Sequence, residues 1–254
     1  MAKQSVLLVT GGTGSIGSEV ARQALASGWA VVIQGRTESS VNTLLSALRG
    51  SDLEAPVAGV VADINKKGSV EDFVVAAGRV FGRIDAVADC LVIGPSEGGI
   101  TGPFEKTDPE MYLPFVALSL VYLERLAQAV LPWLKSSDGC LLTFVSDAGV
   151  FPAPRQAVIG AARAGAIGFV KNLATEVARD GVRVHAISPS FVADTRVAEK
   201  LKAAAPDRFE AAARRAGLGL PTPKDIAPLV VFLCGAGAKK MTGQIISING
   251  GLNV

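Results

Sequence analysis

Short apolar runs alternate with longer segments of helical periodicity along the whole chain. The apolar runs are rich in Val, Leu and Ile and show little alternation, which is typical of strands covered on both faces. They lie at 5–10, 30–35, 57–62, 84–88, 140–145, 182–188 and 244–248. The helical segments lie between them, at 17–28, 39–49, 69–81, 109–134, 156–179 and 224–234, with an extra helical piece near 197–216.

The predicted helices carry residues that commonly start and stop helices. A glycine follows three of them, at Gly28, Gly50 and Gly181, where a left-handed residue closes the last turn. Asp108 and Thr222 each precede a proline, the order expected of an N-cap residue and the first helical position. Strict alternation of strand and helix predicts an α/β fold with a parallel sheet and right-handed crossovers. No linker rich in Pro, Gly or Ser divides residues 1–254, so we expect one domain.

Composition narrows the class of protein further. The chain has 254 residues, of which 49% are apolar and 19% charged, and this excludes a disordered protein. The net charge is +2 and no long block of like charge occurs, so we expect no nucleic-acid or membrane partner. Glu124 and Arg125 interrupt the most apolar stretch, 114–134, which predicts a buried helix rather than a membrane span.

Cysteine and histidine are scarce. Cys90, Cys140 and Cys234 are widely spaced and fit neither a disulfide framework nor a zinc pattern, so we expect a cytoplasmic protein without a metal. The one histidine, His185, excludes any site that needs two histidine ligands. Because it lies within an apolar strand, we interpret it as a satisfied core histidine.

The first predicted strand leads directly into a glycine-rich turn at 10–17, before the first helix. Gly12, Gly14 and Gly17 have the spacing G-x-G-x-x-G. Such a turn needs positive φ and no Cβ, so that backbone N–H groups can reach a pyrophosphate at the positive end of the helix. Between a strand and a helix the pattern predicts a dinucleotide site; a glycine-rich turn without a ligand is the alternative.

The second and third strands end in residues that bear on the choice of dinucleotide. An NAD site usually has an acid after the second strand, where it holds the ribose 2′-OH. Gly35 and Arg36 stand there instead, and Arg36 can pair with a 2′-phosphate, so we expect NADP(H), with NAD(H) possible. A solvated Arg36 is the alternative. Asp63 follows the third strand and either accepts a hydrogen bond from the adenine amino group or caps the next helix.

Over essentially its whole length the sequence resembles the short-chain dehydrogenase/reductase family. The resemblance is carried by segments 10–17, 63–64, 139–149, 182–189 and 241–251. It implies a doubly wound Rossmann domain with a seven-stranded parallel sheet, helices on both faces, a nicotinamide cofactor and a homodimer or homotetramer. The cofactor contacts that it implies are Gly11, Thr13, Gly14, Ser15, Ile16, Gly17, Arg36, Asp63, Ile64, Arg163, Pro189 and Val192.

The reaction site departs from the family pattern. The family uses a Ser to polarise the substrate oxygen, a Tyr as acid and base, a Lys that lowers the pKa of the Tyr, and an Asn that relays protons. Ser146 takes the serine position and Ser119 takes the asparagine position. Ile159 stands at the tyrosine position and Arg163 at the lysine position, four residues apart on one helix face. Isoleucine has no proton to give, and arginine keeps its charge in proteins.

Three side chains are candidates for a substitute proton donor: Ser146, Asp147, and Tyr112 if its helix leans over the cleft. Ser146 and Asp147 are also explained as turn residues. Where the family has Asn-Asn-Ala-Gly after the fourth strand, the chain has Asp-Cys-Leu-Val at 89–92. A hydrolytic triad of Ser146 and His185 has no support, because nothing places the histidine beside the serine.

Three functions remain open. The intact glycine turn and Ser146 favour an NADP(H)-dependent oxidoreductase that acts on a carbonyl or alcohol with a non-standard proton donor. The joint loss of Tyr, Lys and Asn favours a non-catalytic subunit that pairs with an active paralogue, or a nucleotide-binding regulator. Arg163 could bind an anion, which favours non-redox chemistry such as that of a lyase. Against this, dehalogenase-like members of the family keep the tyrosine and lose the glycine turn, the reverse of this chain.

Two helices are candidates for subunit contacts, again through the resemblance. Helix 156–179 has a stripe of small residues, for which ordinary packing on the sheet is the alternative. Helix 109–134 carries large apolar residues that we expect to anchor a homo-oligomer or a hetero-oligomer. These candidate anchors are Phe115, Leu118, Tyr122, Leu126 and Leu134.

Overall fold

The computed structural model describes residues 4–50, 54–91 and 99–253. Its strands are β1 (Val6–Thr10), β2 (Ala30–Gly35), β3 (Val57–Val61), β4 (Ala86–Asp89), β5 (Cys140–Phe144), β6 (Arg183–Pro189) and β7 (Ile245–Ile248). Its α-helices are α1 (Ser15–Ala26), α2 (Glu38–Arg49), α3 (Ser69–Phe81), α4 (Tyr112–Val116), α5 (Tyr122–Lys135), α6 (Ala157–Val177), α7 (Arg196–Ala204), α8 (Pro206–Arg215) and α9 (Pro223–Cys234). Val92, in the segment predicted to follow the fourth strand, lies outside the described residues.

The seven strands form one parallel sheet in the order β3-β2-β1-β4-β5-β6-β7. β1 therefore pairs with β2 on one side and with β4 on the other, with Thr10 opposite Asp89. The order of the strands reverses between β1 and β4, so the connections that follow these two strands diverge. Ligands of open α/β sheets bind in the crevice that forms at this point, beyond the carboxyl ends of the strands.

Helices cover both faces of the sheet, as predicted. α1, α2 and α9 pack on one face over a core that includes Leu7, and α3, α5 and α6 pack on the other over a core that includes Leu8. Consecutive residues of a strand point to opposite faces, and here both faces are buried. This explains why the apolar runs show so little alternation.

The predicted helix boundaries are confirmed to within a few residues, with two exceptions. Segment 109–134 is divided, because a π-helical turn at Ala117–Val121 separates α4 from α5. The piece near 197–216 is two helices, which break at Ala205 before Pro206. Proline at a first helical position is favourable, whereas inside a helix it removes a hydrogen bond.

The helices end at or just before the predicted glycines, but Gly50 is not in the left-handed helical region, because its ψ is −117°. Gly28, Gly50 and Gly181 have φ values of +85°, +52° and +77°. The Asp108 side chain accepts from the Glu110 amide, and Thr222 forms a reciprocal capping box at the start of α9.

Four of the five predicted subunit anchors are wrong. Phe115, Tyr122, Leu126 and Leu134 are at most 6% exposed, because they pack into the cores of their own chain. Leu118 is half-buried. An apolar stripe on a helix marks its covered side, and here the sheet and neighbouring helices already cover it.

Two helical stretches, Pro109–Lys135 and Ala157–Asp180, are long and apolar enough to cross a membrane by length and composition alone. α5 and α6, their main parts, pack side chains into the same core on one face of the sheet. This packing agrees with the prediction of a buried helix at 114–134.

Candidate functional site

The glycine-rich turn joins β1 to α1 at the crevice. Gly11 has φ of +59°, and a Cβ there would lie 3.0 Å from the backbone of Cys90. A Cβ at Gly17 would lie 2.4 Å from the carbonyl oxygen of Gly11, so the turn and the helix are in direct contact. α1 begins at Ser15, its N-cap Gly14 makes no side-chain hydrogen bond, and its first turn has no acidic residue. The first amides of α1 are thus left without a capping side chain, as a phosphate site requires.

Two side chains of the turn are fixed by packing. Ile16 is buried in the core beneath α1, so only its backbone amide remains for a phosphate. Thr13 lies against the end of β2, where a Cβ at Gly35 would be 2.7 Å from the Thr13 Cγ2 atom. At Ile16 the turn therefore offers its backbone amide rather than its side chain, while the hydroxyl-bearing Thr13 and Ser15 are half-buried.

A buried glutamine holds the turn in place. The Gln34 Nε2 atom donates to the carbonyl oxygen of Ala62 at 2.8 Å, and its Oε1 atom accepts from the Gly11 amide at 3.0 Å. Gln34 thereby ties the glycine turn to the end of β3. Sequence analysis missed this residue, although a polar side chain inside an apolar strand was a signal.

The residues predicted to select the dinucleotide follow β2 and β3. Arg36 is exposed directly after β2, where it is accessible to a ligand. The Asp63 Oδ1 atom accepts from the Asn65 backbone at 3.1 Å and from its side chain at 2.9 Å, which closes a turn. Asp63 does not cap the next helix, because α3 begins at Ser69 after the N-cap Gly68. That alternative interpretation of Asp63 is wrong.

Three further predicted cofactor contacts lie at the same edge of the sheet. Ile64 follows β3, Pro189 ends β6 and Val192 lies just beyond it, and all three are half-buried. Ile64 packs against one core and Val192 against the other.

Ser146 follows β5 and is half-buried at the same edge. Its Oγ atom accepts from the Ala148 amide at 3.3 Å, so it caps the short turn Asp147–Gly149. The interpretation of Ser146 as a turn residue is therefore confirmed, but a long bond to one amide leaves its proton available to a substrate oxygen.

Asp147 is 2% exposed, and its side chain holds several separate segments of the chain together through hydrogen bonds. Its carboxylate accepts from Ser188 at 2.9 Å, Ser247 at 2.9 Å and Asn249 at 2.7 Å, with Asn253 at 3.1 Å. The strands β6 and β7 and the C-terminal segment are thus tied to the turn that carries Ser146. Asp147 is committed to these donors, which removes it from the candidate proton donors.

Ile159 packs against a small apolar cluster. The cluster is centred on Ile100, Phe115 and Ala162, with Ile159 and Tyr112 packed against it. The Tyr112 hydroxyl lies 2.5 Å from the Thr107 Oγ1 atom. Tyr112 begins α4 and packs against the same cluster as Ile159, on the α6 side of the site.

Arg163 is 9% exposed, one helical turn beyond Ile159. Its guanidinium lies 6.0 Å from the centre of the Phe115 ring. Burial lowers the pKa of Arg163, and the carboxyl group of Asp89 acts in the opposite sense. The Asp89 carboxyl group is thus near enough to Arg163 to favour the charged form of the guanidinium.

Asp89 is held by hydroxyl groups at the end of β4. Thr10 donates to it at 2.6 Å, Thr143 at 2.8 Å and Tyr122 at 3.3 Å. Burial raises the pKa of Asp89, and the hydrogen bonds from Thr10 and Thr143 only partly offset this. Burial also raises the pKa of Tyr122, whose ring belongs to the core. Sequence analysis missed this cluster, because its members come from four separate elements.

Ser119, which we expect to take the position of the family's asparagine, lies in the π-helical turn. Its hydroxyl donates to the Phe115 carbonyl oxygen at 2.7 Å, and the side chain is 5% exposed. Because the Ser119 hydroxyl donates to the backbone of the preceding helical turn, its proton is not available to a substrate. The structure brings Ser119 near the Phe115 cluster but gives it no free donor.

His185 is fully buried, as predicted, but its hydrogen bonding is only partly satisfied. Its Nδ1 atom has no hydrogen-bond partner, and its Nε2 atom lies 3.4 Å from the Arg183 guanidinium. Burial, followed by the charge of Arg183, lowers its pKa to about 4. Leu142 is opposite His185, which leaves Ser146 roughly 13 Å further along the sheet, so a Ser–His triad is excluded.

Comparison with known proteins places this geometry in a family. Residues 11–253 match the family model described as enoyl-(acyl carrier protein) reductase. A ketoacyl reductase assigned to the monensin polyketide synthase of Streptomyces virginiae is 34% identical, over 97% of this chain and 96% of the relative. The 3-oxoacyl-[acyl-carrier-protein] reductase of Thermotoga maritima is 27% identical, over 97% of both chains.

Solved structures give the same result. An NADPH-bound short-chain oxidoreductase of Pseudomonas aeruginosa, described as containing an atypical catalytic center, is 27% identical, with a TM-score of 0.86 over 98% of this chain and 96% of the other. A variant of the actinorhodin polyketide ketoreductase with NADPH is 28% identical, with a TM-score of 0.86 over 98% and 97%. The chain belongs to the short-chain dehydrogenase/reductase family.

Proposed function

We propose that the protein binds NADP(H) and interconverts a ketone and an alcohol, with Tyr112 as the proton donor in place of the family's tyrosine. The observation that carries the proposal is the glycine turn. It is held by Gln34, closed by the contact between Gly11 and Gly17, and followed by helix amides without a capping side chain.

The residues around the turn fit a phosphorylated dinucleotide. A pyrophosphate would accept from backbone amides at Thr13 and at 15–17, since the Gly14 amide already donates to Gly11, and an exposed Arg36 would pair with a 2′-phosphate. The absence of an acid after β2 removes the usual partner of an unmodified ribose. The two solved relatives that hold NADPH support the same choice. The reduced nicotinamide, when bound, supplies the hydride.

The chain's own residues would handle the oxygen and its proton. The Ser146 hydroxyl donates to the carbonyl oxygen and orients it. As the carbonyl carbon gains hydride, the electron pair of the C=O double bond moves to oxygen, which takes the Tyr112 proton. Water restores that proton through the Thr107 hydroxyl, 2.5 Å away. Arg163 supplies fixed positive charge where the family has lysine, without itself giving a proton.

The apolar cluster around Phe115 favours a second function, that of a nucleotide-binding subunit without activity of its own. Ile159 lies in apolar surroundings, and the Ser119 hydroxyl is bound to its own helix. A protein that binds the nucleotide but pairs with an active paralogue would need neither proton donor. It would retain nucleotide affinity and show no turnover with any ketone.

The relatives suggest the substrates for the test, because several are named ketoacyl reductases. NADPH oxidation should be followed with a panel of 3-oxoacyl thioesters and simple ketones. We expect turnover by the wild type, and a fall of about 10²–10⁴-fold in Tyr112→Phe and in Ser146→Ala. The matched control is Thr175→Val, which removes an exposed hydroxyl of α6 that donates to its own helix and should leave turnover near the wild-type rate.

Each other result has a definite meaning. Wild-type rates in Tyr112→Phe would remove Tyr112 as the donor. Bound NADPH with no turnover across the panel would establish the second function instead.

A further inference from the structure

A cavity of about 400 Å³ opens beside the apolar cluster that contains Ile159. Three segments form its walls: the connection before α4, the turn before α6, and the junction of α7 with α8. The lining residues are Thr101, Gly102, Arg155, Ala204, Ala205, Pro206, Asp207 and Arg208. The walls place two arginines and one aspartate around the cavity, an excess of one positive charge.

The backbone of Arg155 and the side chain of Arg208 are each held by a contact within the described residues, and neither contact is to an acidic side chain. Arg155 has φ of +68°, which a residue with a side chain seldom adopts, and its carbonyl oxygen accepts from the Gly102 amide at 2.9 Å. The Arg208 guanidinium lies 5.9 Å from the centre of the Phe191 ring. Stacking on an aromatic ring orients a guanidinium and leaves its N–H groups available to a ligand.

Two of the residues that line the cavity are close in sequence to residues of the apolar cluster at the proposed reaction site. Thr101 follows Ile100, a central residue of the apolar cluster, and Arg155 precedes Ile159 by four residues. Phe191, which supports Arg208, lies next to Val192 at the carboxyl end of β6. A substrate that reacts at Ser146 and extends across Ile159 would reach the two guanidinium groups with its far end.

We propose that Arg155 and Arg208 bind an anionic group, a carboxylate or a phosphate, at the end of the substrate remote from the reacting carbonyl. This proposal rests on the proposed function for the identity of the reacting end. It adds a substrate class: ketones with an apolar middle and an anionic tail. Two guanidinium groups suit either anion, because both present paired oxygens to the fork of N–H donors.

The test uses a series of linear methyl-ketone acids of increasing length, beginning with levulinate, each beside its own methyl ester. Binding to the NADPH-loaded protein is read by saturation-transfer NMR, and turnover is read by NADPH oxidation. We expect the best acid to bind roughly tenfold more tightly than its ester, as for one charge-assisted contact at a partly exposed site. The preference should disappear in Arg155→Met and in Arg208→Met, with binding of the ester unchanged.

Two further variants serve as controls, one for the charge of the side chain and one for its location. Arg155→Lys keeps the charge and should keep part of the preference, which separates lost charge from lost folding. Arg196→Met removes an exposed arginine of α7 that does not line the cavity, and it should retain the full preference. Competition by inorganic phosphate against the bound acid would mark a phosphate as the natural tail, and its failure to compete would mark a carboxylate.

The outcomes separate this proposal from the proposed function. Three results overturn the anion site: equal binding of acids and esters, a preference that survives when Arg155→Met and Arg208→Met are combined, and a series in which no acid binds. Acid binding without NADPH oxidation overturns the proposed reduction and leaves the anion site in place. Equal turnover of acids and esters leaves the reduction in place and removes the anion site.

Discussion

The cofactor side and the reaction side of the crevice differ in what they are made of. The cofactor side, from β1 to β2, offers backbone amides that glycines and one buried glutamine hold in place. The reaction side, from β5 into α6, depends on individual side chains, and there we expect Ile159 and Arg163 to take the places of the family's tyrosine and lysine. Backbone recognition survives many substitutions, whereas proton transfer requires a particular group at a particular place. One side can therefore stay intact while the chemistry of the other side changes.

The largest expected effect tests the cofactor side. Gly17→Val places a side chain where even a Cβ would lie 2.4 Å from the Gly11 carbonyl oxygen. We expect NADPH affinity, measured by calorimetry, to fall roughly 100-fold or more, about 3 kcal/mol. Gly168→Ala is the control, because a Cβ there meets nothing within 4 Å and alanine favours the helix. Equal NADPH affinity in both variants would show that the turn is not the binding site.

A pH measurement tests a region remote from both sides. The pKa of His185 is about 4 in the folded protein, below its ordinary value of 6.5. The unfolded chain therefore binds the proton first, so this contribution to stability is full above pH 6.5 and is lost as the pH falls toward 4. We expect a loss of about 3 kcal/mol of unfolding free energy across that window.

His185→Gln isolates this contribution, because the raised pKa of Asp89 acts with the opposite sign in both proteins. The stability difference between wild type and variant, from urea unfolding, should shrink by that amount as the pH falls. A pH-independent difference would contradict the lowered pKa. Turnover should keep the same pH profile in the variant, since His185 lies far from Ser146.

A smaller effect concerns the choice of dinucleotide. Removing the charge in Arg36→Ser should weaken NADPH binding about tenfold, the value of one charge-assisted phosphate contact, and leave NADH binding almost unchanged. Direct titration of both dinucleotides gives the ratio. If NADH binds the wild type more tightly than NADPH, Arg36 is only a solvated residue of the connection.

The smallest expected effect comes from restoring the family's pair. If Tyr112 already supplies the proton, the double variant Ile159→Tyr with Arg163→Lys adds little, and we expect less than about a tenfold rise in NADPH oxidation. A gain of about 10²–10⁴-fold over a silent wild type would instead show that the reaction side had lost its chemistry.

The same contrast explains what could be predicted from the sequence. The strands, the helix ends and the glycine turn follow from local patterns, and all three are confirmed. The hydrogen bonds of Asp147 could not be predicted, because their donors Ser188, Ser247 and Asn249 lie far from Asp147 along the chain. The predicted anchors, such as Leu126, failed for a related reason: periodicity shows that one helix face is covered, but not by what.

Isotope transfer tests the central claim most directly. The wild-type protein should be loaded with NADPH carrying deuterium at the reactive nicotinamide carbon and incubated with the ketone panel, and the alcohol should then be examined by NMR. The account predicts deuterium on the carbinol carbon of a product formed by the wild type. Bound but unreacted NADPH with every ketone, together with deuterated product from Ile159→Tyr with Arg163→Lys, would contradict it.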